Sequence, residues 1–135
     1  MDRLFLDANV LFSAAYRKDA GIALLWSLEN VQLVTSGYAL EEASRNLSNP
    51  DQKQRLEHLL QKVQVVEATT IRSTDLQDLE LPDKDRPILA GAIAGNCTHL
   101  ISGDFKHFGP HYGKHLEGIL ILPPSDYLKN AARTF

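Results

Sequence analysis

The sequence predicts an α/β protein, a three-layer α/β/α sandwich with a mainly parallel sheet between two layers of helices. Short runs rich in Val, Ile and Leu alternate along the chain with longer segments in which apolar residues recur at helical spacing. This alternation favours right-handed crossover connections, and those produce parallel strands with helices on both faces. We expect about five strands in a single domain, which spans residues 1–135.

Strands are expected at five short apolar runs of the chain. These runs are residues 3–6, 31–35, 63–66, 99–102 and 118–122. Helices are expected at 20–29, 36–47, 50–62 and 85–95, with a short helix or turn at 72–80 and a last helix capped by Ser125. In the helix at 20–29 we expect four residues to face the core: Ile22, Leu25, Trp26 and Leu28. The segment after Asp7 is expected to be a loop.

The composition is that of a globular protein with a slight acidic balance. Apolar residues make up 44% of the chain and charged residues 23%, which excludes wholesale disorder. The net charge of −3 argues against a protein that coats nucleic acid, because such footprints are usually basic, but not against an enzyme that binds metal ions. We expect a cytoplasmic protein with no membrane partner. The sequence shows no apolar run of about 20 residues and no secretory signal, and its single cysteine, Cys97, suits a reducing compartment.

Four carboxylates are expected at one edge of the sheet. Asp7 and Asp104 each directly follow a predicted strand, and Glu42 and Asp85 lie at the starts of predicted helices. Helices that follow parallel strands begin at the edge where those strands end, which is where doubly wound sheets bind their ligands. Each acid alone has an ordinary explanation as a cap, a turn residue or a solvated side chain. Their coincidence on one edge favours a site.

Such a cluster has a chemical consequence. Like charges held together raise one another's pKa unless cations neutralise them. Oxygen ligands suit Mg²⁺ or Mn²⁺, and the hydrolysis of a phosphodiester is the reaction that one or two such ions support. Asn9, two residues after Asp7, is placed either to orient that carboxylate or a water at the metal, or only to satisfy nearby backbone.

Four short motifs occur in order along nearly the whole chain. They are Leu6-Asp7-Ala8-Asn9, Ser36 with Glu42 six positions later, Asp85 before a small-residue helix, and Ser102-Gly103-Asp104 with Phe105 and Phe108 after it. At these residues the chain resembles the PIN-domain family of metal-dependent ribonucleases, which includes the toxins of VapBC-type toxin–antitoxin pairs. Ser102 stands where the family often has Thr, and it keeps the hydroxyl.

The resemblance implies a Mg²⁺- or Mn²⁺-dependent endoribonuclease with RNA as substrate, a cognate antitoxin as partner and a homodimer as a further expectation. The catalytic and metal-binding residues would be Asp7, Glu42, Asp85 and Asp104, with Asn9 and Ser102 in support. Two assignments have neighbours that compete with them. Glu41 competes with Glu42, and Asp83 with Asp85; helix phase favours the second residue of each pair.

Several basic residues near these acids are candidates for contact with the substrate, although each is also an ordinary surface residue. They are Arg17, Lys18, Arg45, Lys106 and His107. The spacing of His107, His111 and His115 would suit zinc on a continuous helix, but the glycines and the proline within that segment argue against such a helix.

Two other functions are compatible with parts of the sequence. A haloacid-dehalogenase-type phosphatase also begins with an apolar strand that ends in Asp, but it needs a second Asp where this chain has Asn9. A PIN-like module that binds RNA or protein without cutting is the other alternative. A module of that kind has no need for four mutually repelling acids.

Overall fold

The structure is a computed structural model that describes residues 1–67 and 85–132. In these ranges six strands occur: Asp2–Leu6 (β1), Val31–Ser36 (β2), Val63–Val66 (β3), His99–Ile101 (β4), His115–Leu116 (β5) and Ile119–Leu122 (β6). The α-helices of the same ranges are Ala8–Tyr16 (α1), Gly37–Asn46 (α2), Pro50–Leu60 (α3), Arg86–Ala94 (α4), Phe105–Phe108 (α5) and Pro124–Ala132 (α6). Two 3₁₀ helices occupy Gly21–Ser27 and Gly109–His111.

The strands form one sheet in the order β3-β2-β1-β4-β6-β5. All neighbouring pairs are parallel except β5 and β6. The chain moves outward from β1 to β3 and then returns to β4 on the other side of β1, so strand order reverses between β1 and β4. The predicted α/β sandwich with a mainly parallel sheet is confirmed. A crevice is expected where β1 and β4 end, because sheets of this kind bind ligands at such a reversal.

The core is built around β1, the strand that leads into that crevice. Leu4, Phe5 and Leu6 are completely buried, and α4 packs on the sheet beside them. A Cβ atom on Gly91 would lie only 2.8 Å from the ring of Phe5, so a glycine is what allows α4 to approach β1 this closely. This contact fixes where α4 lies relative to β1, and therefore where Asp85, the residue before α4, is placed.

The prediction of a loop after Asp7 is wrong, because residues Ala8–Tyr16 form α1. The Asp7 side chain accepts a hydrogen bond from the Ala8 amide at 2.7 Å and caps the helix. Five of the nine helical residues are buried, so the segment has little of the polar face by which surface helices are identified in a sequence. Asp7 thus ends a strand and begins a helix at the same point.

Two smaller differences between the predicted and observed elements also have local causes. Residues predicted as a helix at 20–29 form a 3₁₀ helix over Gly21–Ser27, in which Leu25 is fully buried and the Trp26 indole donates to the Leu59 carbonyl at 3.0 Å. The sheet has six strands rather than about five. The extra one, β5, joins β6 through a two-residue turn in which Glu117 and Gly118 both have positive φ, at 52° and 80°.

The last helix also differs from its prediction at its first residue. It begins at Pro124, which suits the first helical position, so Ser125 lies inside the first turn and is not the cap. The segment predicted as a helix or turn at 72–80 lies outside the described residues. No helix in the described part of the chain is long and apolar enough to span a membrane.

Candidate metal centre

A cleft of about 530 Å³ lies where β1 and β4 end. Its lining residues are Asp7, Ala8, Asn9, Phe12, Glu42, Asn46, Asp85 and Asp104. The structure therefore brings together the four carboxylates that the sequence placed at this edge of the sheet. Of the described residues that line the cleft, none is Lys or Arg, so the negative charge of the acids is not balanced within the lining itself.

Asp7 is buried and held by hydrogen bonds at both carboxylate oxygens. Its Oδ1 accepts from the Ala8 amide at 2.7 Å, and its Oδ2 accepts from the Ser102 hydroxyl at 2.8 Å and from the Asn9 amide at 3.1 Å. A carboxylate bound in this way has little freedom to rotate. Asp7 thus presents a fixed group to the cleft.

Burial raises the pKa of Asp7 from 3.8 to about 6. The hydrogen bonds from Ser102 and Ala8 act in the opposite direction, since they stabilise the charged form. The carboxylates of Asp85 and Glu42 add a further, smaller increase, because they repel the charge on Asp7. A cation in the cleft would oppose both the burial and the repulsion.

Ser102 and Asn9 connect the ends of β1 and β4. The buried Ser102 hydroxyl donates to Asp7 and accepts from the Asp104 amide at 3.1 Å. The Asn9 side chain donates to Asp7 and accepts from the Gly103 amide at 2.8 Å. Both interpretations of Asn9 from the sequence are therefore supported, because its side chain orients the Asp7 carboxylate and also hydrogen bonds to a backbone amide.

Glu42 reaches the cleft from α2. This helix begins after Ser36, whose hydroxyl caps it by accepting from the Ala39 amide at 3.2 Å. Glu42 is half-buried and lines the cleft, whereas Glu41 is exposed and is not among the lining residues. Helix phase thus places Glu42 at the cleft and turns its neighbour to solvent, as the sequence indicated.

Asp85 is buried and stands directly before α4, at the position of an N-cap. Its side chain makes no capping hydrogen bond to that helix. Instead, its Oδ2 lies 3.1 Å from Nδ1 of His107. The explanation of Asp85 as only a cap is therefore not supported. Asp83, its competitor in the sequence, lies outside the described residues.

His107 joins Asp85 to Asp104, a connection that the sequence analysis missed. Its Nδ1 lies 2.8 Å from Oδ2 of Asp104, and its backbone amide donates to Oδ1 of the same carboxylate at 3.2 Å. One ligand atom from each of Asp85, Asp104 and His107 can be chosen so that all three lie within 4.8 Å of one another. The spacing of Asp104 and His107 by three residues on a short helix was the available signal, since such residues are neighbours.

The other candidate cations lie outside the lining of the cleft. Arg17 follows α1, and nine helical residues span about 14 Å, so Arg17 and Lys18 lie far from the Asp7 end of that helix. Arg45 and Lys106 are exposed. Their contact with substrate stays a prediction.

The histidines that follow His107 share no helix with it. His111 ends a 3₁₀ helix and His115 lies in β5, so the zinc-binding helix is absent from this segment, as the glycines and proline indicated.

The comparisons with known proteins identify the fold. A family model described as PIN domain matches residues 3–106, which is most of the chain and includes all four acids. No curated protein matches the sequence.

Solved structures with a similar fold include the following three. The first is VapBC2 from Rickettsia felis bound to a promoter DNA fragment. It is 18% identical with a TM-score of 0.63, and the match covers 90% of this chain and 98% of that chain. A toxin–antitoxin complex from Klebsiella pneumoniae is 21% identical with a TM-score of 0.64, and the match covers 87% of this chain and 95% of that chain. FitAcB from Neisseria gonorrhoeae is 20% identical with a TM-score of 0.55, and the match covers 90% of this chain and 98% of that chain.

Proposed function

The chain belongs to the PIN-domain family, and on that premise we propose that it is a Mg²⁺- or Mn²⁺-dependent endoribonuclease that hydrolyses phosphodiester bonds in RNA. One observation carries the proposal. Asp7, Glu42, Asp85 and Asp104, which are scattered over the sequence, line a single cleft at the reversal of strand order. Among the described residues that line this cleft, none is Lys or Arg.

The donor set fits a hard divalent cation. Carboxylate oxygens are the ligands that Mg²⁺ and Mn²⁺ prefer. The pKa of Asp7 is raised mainly by burial and, to a smaller extent, by the carboxylates of Asp85 and Glu42, and a bound cation would oppose both effects. A divalent ion held by these acids would supply Lewis acidity at a phosphate oxygen and would lower the pKa of a water nucleophile. Without an ion, the same acids would repel the phosphates of RNA. We therefore expect RNA cleavage to require the metal ion.

Other features of the chain would hold the metal ligands in place. Ser102 and Asn9 hold Asp7 in one orientation, which keeps its ligand atoms aimed into the cleft. Glu42 and Asp85 approach from α2 and α4, so the ligands come from separate elements that are fixed by the core. Such rigid placement is what catalysis of phosphoryl transfer chiefly requires from a protein.

The biological setting that we propose is a toxin–antitoxin pair, with this chain as the toxin and an antitoxin protein as its partner. The support is the likeness of the fold to complexes of that kind. A small gene immediately upstream of this one, whose product binds the chain and suppresses its cleavage of RNA, would be the expected partner. Assembly as a homodimer stays a prediction.

The test is cleavage of labelled RNA at increasing Mg²⁺ or Mn²⁺. We expect cleavage that EDTA abolishes and that Asp7→Asn reduces by about a thousandfold or more, because that variant removes a charged ligand. Asp2→Asn is the matched control, since Asp2 lies at the opposite end of the same strand. It should cleave at the wild-type rate.

Other outcomes would contradict the proposal. Tight RNA binding without cleavage at any metal concentration would indicate the non-cleaving module. Hydrolysis of a phosphomonoester in place of RNA would indicate the phosphatase. The family match and the amide at Asn9, which hydrogen bonds to Asp7 and Gly103, favour the nuclease over the phosphatase.

A further inference from the structure

We propose that His107 is a nitrogen ligand of the divalent ion, so that the site is a mixed nitrogen–oxygen centre that selects Mn²⁺ over Mg²⁺. This inference rests on the proposed metal centre and adds to it a fifth residue. His107 Nδ1 is the atom that stands between two of the carboxylates, 2.8 Å from Asp104 Oδ2 and 3.1 Å from Asp85 Oδ2.

These distances match the spacing of ligands around an octahedral ion. Ligand atoms that lie about 2.1 Å from such an ion are about 3.0 Å from their neighbours in the coordination shell. The two Nδ1–oxygen distances, 2.8 and 3.1 Å, fall on either side of that value. Little movement of the three side chains is therefore needed for an ion to take the place of the two contacts that Nδ1 makes with the carboxylates.

The local fold holds His107 in this position. The residue lies on α5, the short helix that Asp104 caps, and its amide donates to the same Asp104 carboxylate that its ring contacts. Its side chain is 17% exposed, so most of the ring is enclosed. A ligand that is positioned before the ion arrives loses little conformational entropy on binding.

The imidazole changes which ion the centre favours. Binding at Nδ1 uses the neutral ring with its proton on Nε2, and the lone pair on Nδ1 then becomes a donor. Imidazole nitrogen is a softer ligand than carboxylate oxygen, and it raises affinity for transition metals more than for Mg²⁺. A purely carboxylate centre would show this preference more weakly.

The direct test is pulsed electron paramagnetic resonance of the full chain loaded with Mn²⁺. We expect modulation from a directly bound nitrogen, and we expect its pattern to change when the protein is labelled with nitrogen-15 histidine. This measurement uses the wild-type protein and therefore does not depend on whether a variant folds. Wild-type spectra without nitrogen coupling, or a chain that binds no Mn²⁺, would overturn the inference.

A variant pair extends the test to affinity. His107→Gln should lose the nitrogen modulation and bind Mn²⁺ about tenfold or more weakly, with a smaller loss for Mg²⁺, because even outer-shell partners of metal ligands contribute that much. His58→Gln is the matched control, since His58 is an exposed histidine on α3. It should retain both the modulation and the affinity. Weaker binding by His107→Gln with no nitrogen coupling in the wild type would instead mean that His107 only positions the carboxylates.

These results separate the inference from the proposed function. Nitrogen coupling in a chain that cleaves no RNA would support the ligand and contradict the nuclease. Metal-dependent cleavage that requires Asp7, in a chain without nitrogen coupling, would support the nuclease and overturn the ligand.

Discussion

The charged residues at the two ends of β1 have different surroundings. At its start, Asp2 accepts a hydrogen bond from the Tyr127 hydroxyl at 2.6 Å, and Arg3 donates to the Gly95 carbonyl and the Gln64 side chain. At its end, Asp7 faces a cleft that it shares with three other acids. The same strand thus carries one acid with its own nearby donor and another within a cluster of like charges.

The difference shows that an acid beside a sheet is not by itself a sign of function. Asp2 and Tyr127 form a structural pair, in which burial and the carboxylate both raise the pKa of the tyrosine. The acids at the other end have donors, including Ser102, Asn9 and His107, but no Lys or Arg among the described residues of the lining. An excess of negative charge indicates a cation, whereas a locally paired charge indicates stability.

A large contrast in the rate of RNA cleavage is also expected between two adjacent glutamates. Glu42→Gln should lower the rate of RNA cleavage by about 100-fold or more, because it removes a charged group from the cleft. Glu41→Gln should leave the rate unchanged, since Glu41 is exposed and outside the lining. Rates measured side by side at saturating Mn²⁺ decide this. Equal losses in the two variants would mean that α2 does not select one of them.

The next contrast concerns the stability of the metal-free protein as a function of pH. The pKa of Asp7 is about 6 in the folded chain against 3.8 for the free group, so between these values the folded state keeps a proton that the unfolded state loses. The free energy of unfolding should therefore fall as pH rises through this window, by about 3 kcal/mol from this group. Below the window its full stability is present.

Denaturant unfolding in EDTA at a series of pH values measures this effect. Asp2→Asn should keep the decrease that the wild type shows, whereas Asp7→Asn should lack about 3 kcal/mol of it. Identical pH profiles for the wild type and Asp7→Asn would contradict the assignment. Saturating Mn²⁺ should restore stability to the wild type at neutral pH, because an ion that binds only the folded chain stabilises it.

The smallest effect is expected at the start of the strand. Tyr127→Phe removes the hydroxyl that donates to Asp2 and should lower the free energy of unfolding by about 1 kcal/mol, the usual contribution of one hydrogen bond. RNA cleavage and the affinity for Mn²⁺ should not change. A loss of activity in this variant would show that the two ends of β1 are coupled, which would contradict their separate roles.

The grouping of the four acids at one end of β1 could be predicted from the sequence, because it depends on the order of strands and helices. Alternating runs predicted a parallel sheet, and the rule for its carboxyl edge then placed Asp7, Glu42, Asp85 and Asp104 together. Helix phase was enough to separate Glu42 from Glu41. These inferences need only the period of each element and the direction of the chain.

What the sequence did not predict depends on contacts that have no periodic signal. Helix α1 is apolar on most sides, so its pattern lacks the alternation that marks a surface helix. Strand β5 has two residues and exists because of its turn. The bridge from His107 to Asp85 joins residues from different elements, and only the folded chain shows that α5 brings the ring between two acids.

Calorimetric titration of Mn²⁺ into the metal-free protein tests the central claim most directly. The acids where β1 and β4 end should bind the ion, so the wild type and Asp2→Asn should give the same isotherm, and Asp85→Asn should bind at least about tenfold more weakly. No binding by the wild type, or equal binding by Asp85→Asn, would contradict the account of this cleft as a metal centre.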